Sequence, residues 1–149
     1  MSPRSPVVWL GLCLMASAAL AQAPTPTTNP WRGQAEAIAR GQGLFNGHCA
    51  VCHGVDASTP SAEAPDLRRL DAFCRPLADP AWQQRCLSDV DRYFLDSAQE
   101  GKVRAGVRYM PAWAGVLSTE DLWAIRSFIA ARPVPPPRTH TSVDRAAGH

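Results

Sequence analysis

The sequence predicts an all-α fold, and three observations carry that prediction. Apolar residues recur at helical spacing in two stretches, Ala35 to Phe45 and Leu122 to Ile129. Capping residues stand where helices should begin, with Asp79 ahead of Pro80 and Ser118 ahead of the last apolar run. No segment alternates apolar and polar residues convincingly enough to be a strand.

Residues 1–21 have the pattern of a secretory signal. Arg4 gives a positive start, Val7 to Leu20 is apolar, and Ala19-Leu20-Ala21 offers small residues for cleavage. The run is shorter than the roughly 20 residues that span a bilayer, which favours cleavage near Gln22 over a retained anchor. Cys13 follows Leu12 rather than a small residue, so it is a discarded residue of the signal rather than a lipidation site. Export places the chain in the periplasm with no membrane span left. Residues 22–31 form a Pro/Thr-rich leader in which prolines alternate with small polar residues.

The folded domain is expected over 32–132. Its first helix spans Gln34 to Gly47, with Ala35, Ile38, Leu44 and Phe45 sharing much of one face. Gly41 and Gly43 would each weaken an isolated helix by about 1 kcal/mol relative to alanine. A close crossing by another helix explains why they are tolerated. Asp79 and Pro80 open a second helix, and Ser88 reads as the cap of a third that ends at Gly101. Ser118 caps the last, and Pro133-Val134-Pro135-Pro136-Pro137 stops it. The remainder, 133–149, is polar and reads as a mobile tail.

A chain of 149 residues with 46% hydrophobic content is suited to one core. Net charge is +2, and loss of Arg4 leaves 14 basic against 13 acidic side chains. That balance argues against nucleic acid as a partner.

The chemistry centres on Cys49-Ala50-Val51-Cys52-His53, a C-x-x-C-H signature for covalent haem attachment. Each thiol can add across one vinyl group of the haem, and the imidazole that follows is then held beneath the iron. A Cys-x-x-Cys pair also serves zinc sites and thiol redox centres. A structural zinc module would need Cys74 and Cys86 as its second pair, but 11 residues separate them where two to four are usual. With Cys13 gone and haem on the first two, Cys74 and Cys86 are left to form one disulfide in an oxidising compartment. Such a bond stabilises by on the order of 3 kcal/mol, the alternative being two buried free thiols.

The second axial ligand follows by elimination. Met1 and Met15 lie in the signal, which leaves Met110 in Tyr109-Met110-Pro111-Ala112-Trp113. A thioether is a soft ligand that raises the potential of iron when paired with histidine. His48 precedes the attachment motif on the same helix, and His140 and His149 belong to the tail, so histidine ligation is the poorer choice.

Taken together these residues resemble the monohaem class I cytochromes c, over Ile38 to Ala130. Gly41 and Phe45 match the first-helix glycine and aromatic that pack against the last helix, here Leu122 to Ile129. Cys49, Cys52 and His53 match the attachment site, and Met110 before Pro111 matches the distal ligand. Pro65 in Ala64-Pro65-Asp66-Leu67 matches the proline whose carbonyl receives the proximal histidine's Nδ1 proton. Ala64 departs from the usual glycine.

The resemblance implies N- and C-terminal helices crossing around one covalent haem c with its iron. It implies a soluble one-electron carrier rather than an enzyme. A haem enzyme or a gas-binding cytochrome would need an open distal site, and no Glu/His constellation near Met110 suggests one. More narrowly, the Ala64 to Leu70 run, Cys74 and Cys86, Glu100 to Arg104 and Met110 to Trp113 resemble the periplasmic cytochromes c that serve quinoprotein (pyrroloquinoline quinone) ethanol dehydrogenases. That implies such a dehydrogenase as donor, with a terminal oxidase or another cytochrome as acceptor. Lys102 is the only lysine, so docking cannot use a lysine ring. Trp113, Arg68, Arg69 and Arg104 have the chemistry to serve a haem propionate, although such residues are more often core or solvated surface.

Overall fold

The computed structural model describes residues 28–58, 61 and 64–134. The signal over 1–21, the leader up to Thr27 and the tail beyond Val134 lie outside them.

Two helices form the frame: α1, Ala35–His48, and α4, Thr119–Ala131. They pack on one another more extensively than any other pair of elements. The sequence of α4 dictates both its start and its buried face. Ser118 and Asp121 make a reciprocal capping box, each side chain accepting from the other's backbone N–H at 3.1 Å, an arrangement worth about 1 kcal/mol. Leu122, Ile125, Phe128 and Ile129 are all buried, and Phe128 meets Phe45 of α1 with ring centroids 5.4 Å apart. The crossing point is Gly41, where an added Cβ would lie 2.0 Å from the Ala124 carbonyl oxygen. Gly43 takes no part, because the space around it is open. Ala35 is exposed as well; the buried face of α1 runs instead through Ala37, Gly41 and Phe45.

Between these helices lie the short α2, Ala50–His53, two 3-10 turns at Val55–Ala57 and Leu67–Arg69, and the long α3, Pro80–Glu100. Asp79 caps α3 as its sequence demands, accepting from Ala81 N at 2.8 Å and Trp82 N at 3.2 Å. Ser88 does not start a separate helix. With no glycine or proline after Pro80, nothing breaks α3, and an internal serine costs a helix less than about 1 kcal/mol. Cys74 and Cys86 are joined, their Cα atoms 5.5 Å apart, which ties the irregular segment before α3 to its second turn. That bond removes the four-cysteine zinc module.

A second correction concerns strands. Lys102–Arg104 (β1) and Val107–Met110 (β2) pair antiparallel around Ala105-Gly106, where both residues have positive φ, 48° and 79°. Paired positive φ values are those of a type I′ hairpin. Almost every residue of the hairpin is exposed, so no alternation of polarity marks it in the sequence. Register slips between Lys102 and Val103, leaving Tyr109 as an extra, unpaired residue just before Met110.

A buried ionic cluster holds the N-terminal segment to this frame. Arg126 of α4 donates from Nη2 to Asp71, and its Nε lies 2.9 Å from Asp91 Oδ1, close enough for an ion pair but misaligned for a hydrogen bond. Arg32 reaches the same two carboxylates, with Nη1 3.0 Å from Asp71 Oδ2. Asn29 donates its backbone N–H to Asp91 at 2.8 Å and its amide to Ser127 at 2.9 Å and to the Trp123 carbonyl at 3.2 Å. The packed region therefore reaches back to Asn29, which is buried and falls within the stretch expected as leader. Among the described residues no helix is long and apolar enough to cross a membrane.

Candidate functional site

Local hydrogen bonding turns the chain sharply at the end of α1 and delivers the C-x-x-C-H residues on one short helical turn. Cys49 N donates to Phe45 O at 2.8 Å, and His53 N donates to Cys49 O at 3.0 Å. Cys49 and Cys52 are both unpaired thiols, the first half-buried and the second exposed. Burial, reinforced by neighbouring Cys52, pushes the Cys49 thiol up to about 11. Catalytic thiols need the opposite shift, so Cys49 is poorly disposed to act as a redox thiol.

His53 is half-buried at the end of α2, and its Nδ1 lies 3.1 Å from the Pro65 carbonyl oxygen. A carbonyl can only accept, so the ring carries its proton on Nδ1 and leaves the Nε2 lone pair available. Burial lowers the pKa of His53 below its ordinary value, only partly opposed by the bond to Pro65. The imidazole is therefore neutral at pH 7, the form in which it binds a metal. Ser61 is tied to the same turn, its N–H donating to Cys52 O at 2.8 Å.

Met110 is the last residue of β2 and the only half-buried residue in an otherwise exposed strand. The chain after it is fastened to the end of α3 by Trp113 N to Ala98 O at 2.9 Å and Ala114 N to Gln99 O at 3.3 Å. Gly101 makes this approach possible. Its φ of 71° disfavours other residues, and a Cβ there would lie 2.5 Å from Met110 O and 2.7 Å from Ala112 N. Trp113 also meets His48 edge-to-face, with ring centroids 5.3 Å apart. His48 immediately precedes Cys49, so this contact joins the Met110 segment to the attachment turn.

Two free thiols on one turn, an imidazole with Nε2 unengaged and a nearby thioether segment suit haem c, a group that takes thiols on its periphery and nitrogen and sulfur on its iron. The residues present fit it. Of the propionate candidates, Arg68 is already engaged by Asp66, Nε to Oδ1 at 2.8 Å and Nη2 to Oδ2 at 2.9 Å. Arg69 lies 3.8 Å from the same carboxylate. The bond from Arg68 holds Asp66 below the usual carboxylate range. Among the described residues no cluster of three or more His, Cys, Asp or Glu side chains is arranged to hold a metal ion.

Residues missed in the sequence surround this site: Gln42, Asn46 and Asp56, linked by side-chain hydrogen bonds beside α2, and the His48–Trp113 contact. Their polar and aromatic types are ordinary for a helix end, so the sequence carries no signal for them.

Comparison with known proteins agrees with this geometry. A family model described as "Cytochrome C oxidase, cbb3-type, subunit III" matches residues 36–129. The chain is 34% identical over 104 residues to "Cytochrome c550" of Pseudomonas aeruginosa, an alignment that covers 70% of this chain and 61% of that protein. It thus spans about three fifths of the length of the curated relative it matches. No solved structure matches significantly. The match over Glu36 to Ile129 takes in the crossing helices, the attachment turn and Met110, and the chain belongs to this cytochrome c family, whose members are haem c proteins of electron transport.

Proposed function

We propose that the protein carries single electrons in the periplasm, with one haem c held through the thiols of Cys49 and Cys52 and ligated by His53 Nε2 and the Met110 sulfur. The observation that carries this reading is His53, which follows two unpaired thiols and has Nδ1 committed to Pro65 at 3.1 Å. Bound there, the haem supplies a ferrous/ferric couple. The chain's own residues do the rest. Pro65 fixes the ring of His53 and increases its basicity by accepting the Nδ1 proton. Ala98 and Gln99 fasten the backbone that follows Met110, Gly101 allows its close approach, and together they limit ligand movement. A site with both ligands kept in place exchanges electrons with little rearrangement and has no vacant position for a substrate, which favours a carrier over an enzyme or gas-binding protein.

The donor we propose is a quinoprotein alcohol dehydrogenase, and the acceptor a terminal oxidase or another cytochrome. The joined Cys74–Cys86 segment supports the first, since it was among the features that resemble such partners. The matched family's description names an oxidase subunit, which supports an oxidase on the acceptor side. A reduced quinone cofactor gives up two electrons, so two carrier molecules must dock in turn, and a modest, short-lived interface suits that turnover. Mixing oxidised protein with a purified quinoprotein ethanol dehydrogenase and ethanol in a stopped-flow instrument tests the donor. Alcohol-dependent haem reduction is expected; reduction no faster than without alcohol would overturn the donor assignment and leave the carrier reading intact.

A further inference from the structure

The chain leaves α2 through an uncommon backbone path. Gly54, Asp56 and Ala57 all have positive φ, at 76°, 53° and 55°. Left-handed conformations in non-glycine residues are unfavourable and persist only where the surroundings enforce them. For Ala57 the enforcement is burial, since it is 1% exposed within the core. For Asp56 it is a clasp on the exposed side of α1. Its Oδ1 accepts from Asn46 Nδ2 at 2.8 Å and from Gln42 Nε2 at 3.0 Å, while its backbone N–H donates to Asn46 Oδ1 at 2.9 Å. The Asn46 amide therefore bonds both the side chain and the backbone of Asp56.

The position of the clasp gives it a consequence. Asn46 lies one turn before Cys49, and Asp56 lies three residues after His53, so the clasp closes the attachment turn on itself from outside. Pro65 offers its carbonyl to His53 Nδ1 at 3.1 Å, and Ser61 N donates to Cys52 O at 2.8 Å. We propose that Asn46 and Asp56 are positioning residues for His53: they hold the turn that directly follows it, and through that turn the orientation of the ring against the Pro65 carbonyl, the strength of the His53–Pro65 hydrogen bond and the donor strength of the ring. The proposal rests on the reading of His53 as an iron ligand. A firm Nδ1–H to carbonyl bond makes the imidazole more basic and stabilises ferric iron. Loosening it should raise the midpoint potential.

The test compares three variants of the haem-loaded protein. Asn46→Ala removes both bonds between Asn46 and Asp56 and leaves only the one from Gln42. Asp56→Gly removes the carboxylate while easing the left-handed turn, so it should fold without strain. Asp56→Asn keeps an acceptor oxygen and tolerates positive φ, so it preserves the clasp without the charge. The readouts are the solvent-exchange rate of the His53 Nδ1 proton by NMR in 15N-histidine protein, and the midpoint potential. Faster exchange and a higher potential in Asn46→Ala and Asp56→Gly, with Asp56→Asn close to wild type, are the expected result. Wild-type exchange and potential in both clasp-breaking variants would overturn the proposal, whatever stability they lose. So would an Asp56→Asn variant shifted as far as Asn46→Ala, because the charge rather than the clasp would then be the cause. If the His53 ring resonances of wild-type protein show no influence of the iron, the ligand reading itself fails, an outcome visible before any variant is made.

Discussion

The crossing of α1 and α4 and the attachment turn beneath it are built on opposite physical terms. The crossing is held by buried apolar side chains, a backbone contact at Gly41 and an ionic cluster centred on the buried Arg126, Asp71 and Asp91. The attachment turn and the Met110 segment are held by hydrogen bonds at or near the surface, several from residues in left-handed conformations. One region resists unfolding; the other holds a few atoms in place and exposes the rest. This division teaches that variants of the frame should change stability and leave ligand chemistry alone, while variants of the turn should do the reverse.

The largest expected effect falls on the frame. Arg126 is fully buried between Asp71 and Asp91, and Arg126→Met leaves the two carboxylates with Arg32 as the remaining cation of the cluster. Removing one partner of a buried ion cluster costs about 3–5 kcal/mol. Urea unfolding should show a loss of that size, with the haem spectrum of the folded fraction unchanged. A spectral change in folded Arg126→Met protein would break the division. The joined Cys74 and Cys86 come next. Replacing both by serine should cost about 3 kcal/mol, again measured by urea unfolding and again without spectral change.

A smaller and graded effect comes from acid. Burial acts to raise the Asp71 pKa, but Arg126 and Arg32 outweigh it and hold the carboxyl below the usual range. A carboxylate with a depressed folded pKa adds stability above its unfolded pKa of about 3.9 and loses that contribution as pH falls through the folded value. The urea midpoint should therefore hold level from neutral pH down to about pH 5 and fall below about pH 4. Asp71→Asn should start from a lower plateau and show a shallower acid limb. An unchanged limb would assign the acid sensitivity to other carboxylates and sharpen the picture of the frame.

The same division explains what could be read from the sequence. Helix α4 was legible because Ser118, Leu122, Ile125, Phe128 and Ile129 follow local rules of capping and period. The attachment turn was legible because its chemistry requires adjacent residue types, and the place of Pro65 followed from resemblance to proteins with the same motif. The hairpin was not, since a turn without Asn-Gly joined two exposed strands. Nor was the unbroken α3, where Ser88 imitates a cap. The ionic cluster brings together residues as far apart as Arg32 and Arg126, a pairing that no local rule of period or capping expresses. The clasp of Asn46 and Asp56 depends on a backbone conformation that no residue type announced.

Met110 offers the most direct test of the central claim that this site is a closed His53/Met110 haem c. The measurement is the absorption spectrum of oxidised wild-type protein and of Met110→Ala, each followed by reduction and exposure to carbon monoxide. Wild-type protein should show a far-red charge-transfer band from the sulfur ligand and refuse carbon monoxide, while Met110→Ala should lose the band, fall in potential and bind the gas. A far-red band that survives in Met110→Ala, or a wild-type protein that binds carbon monoxide readily, would contradict the account.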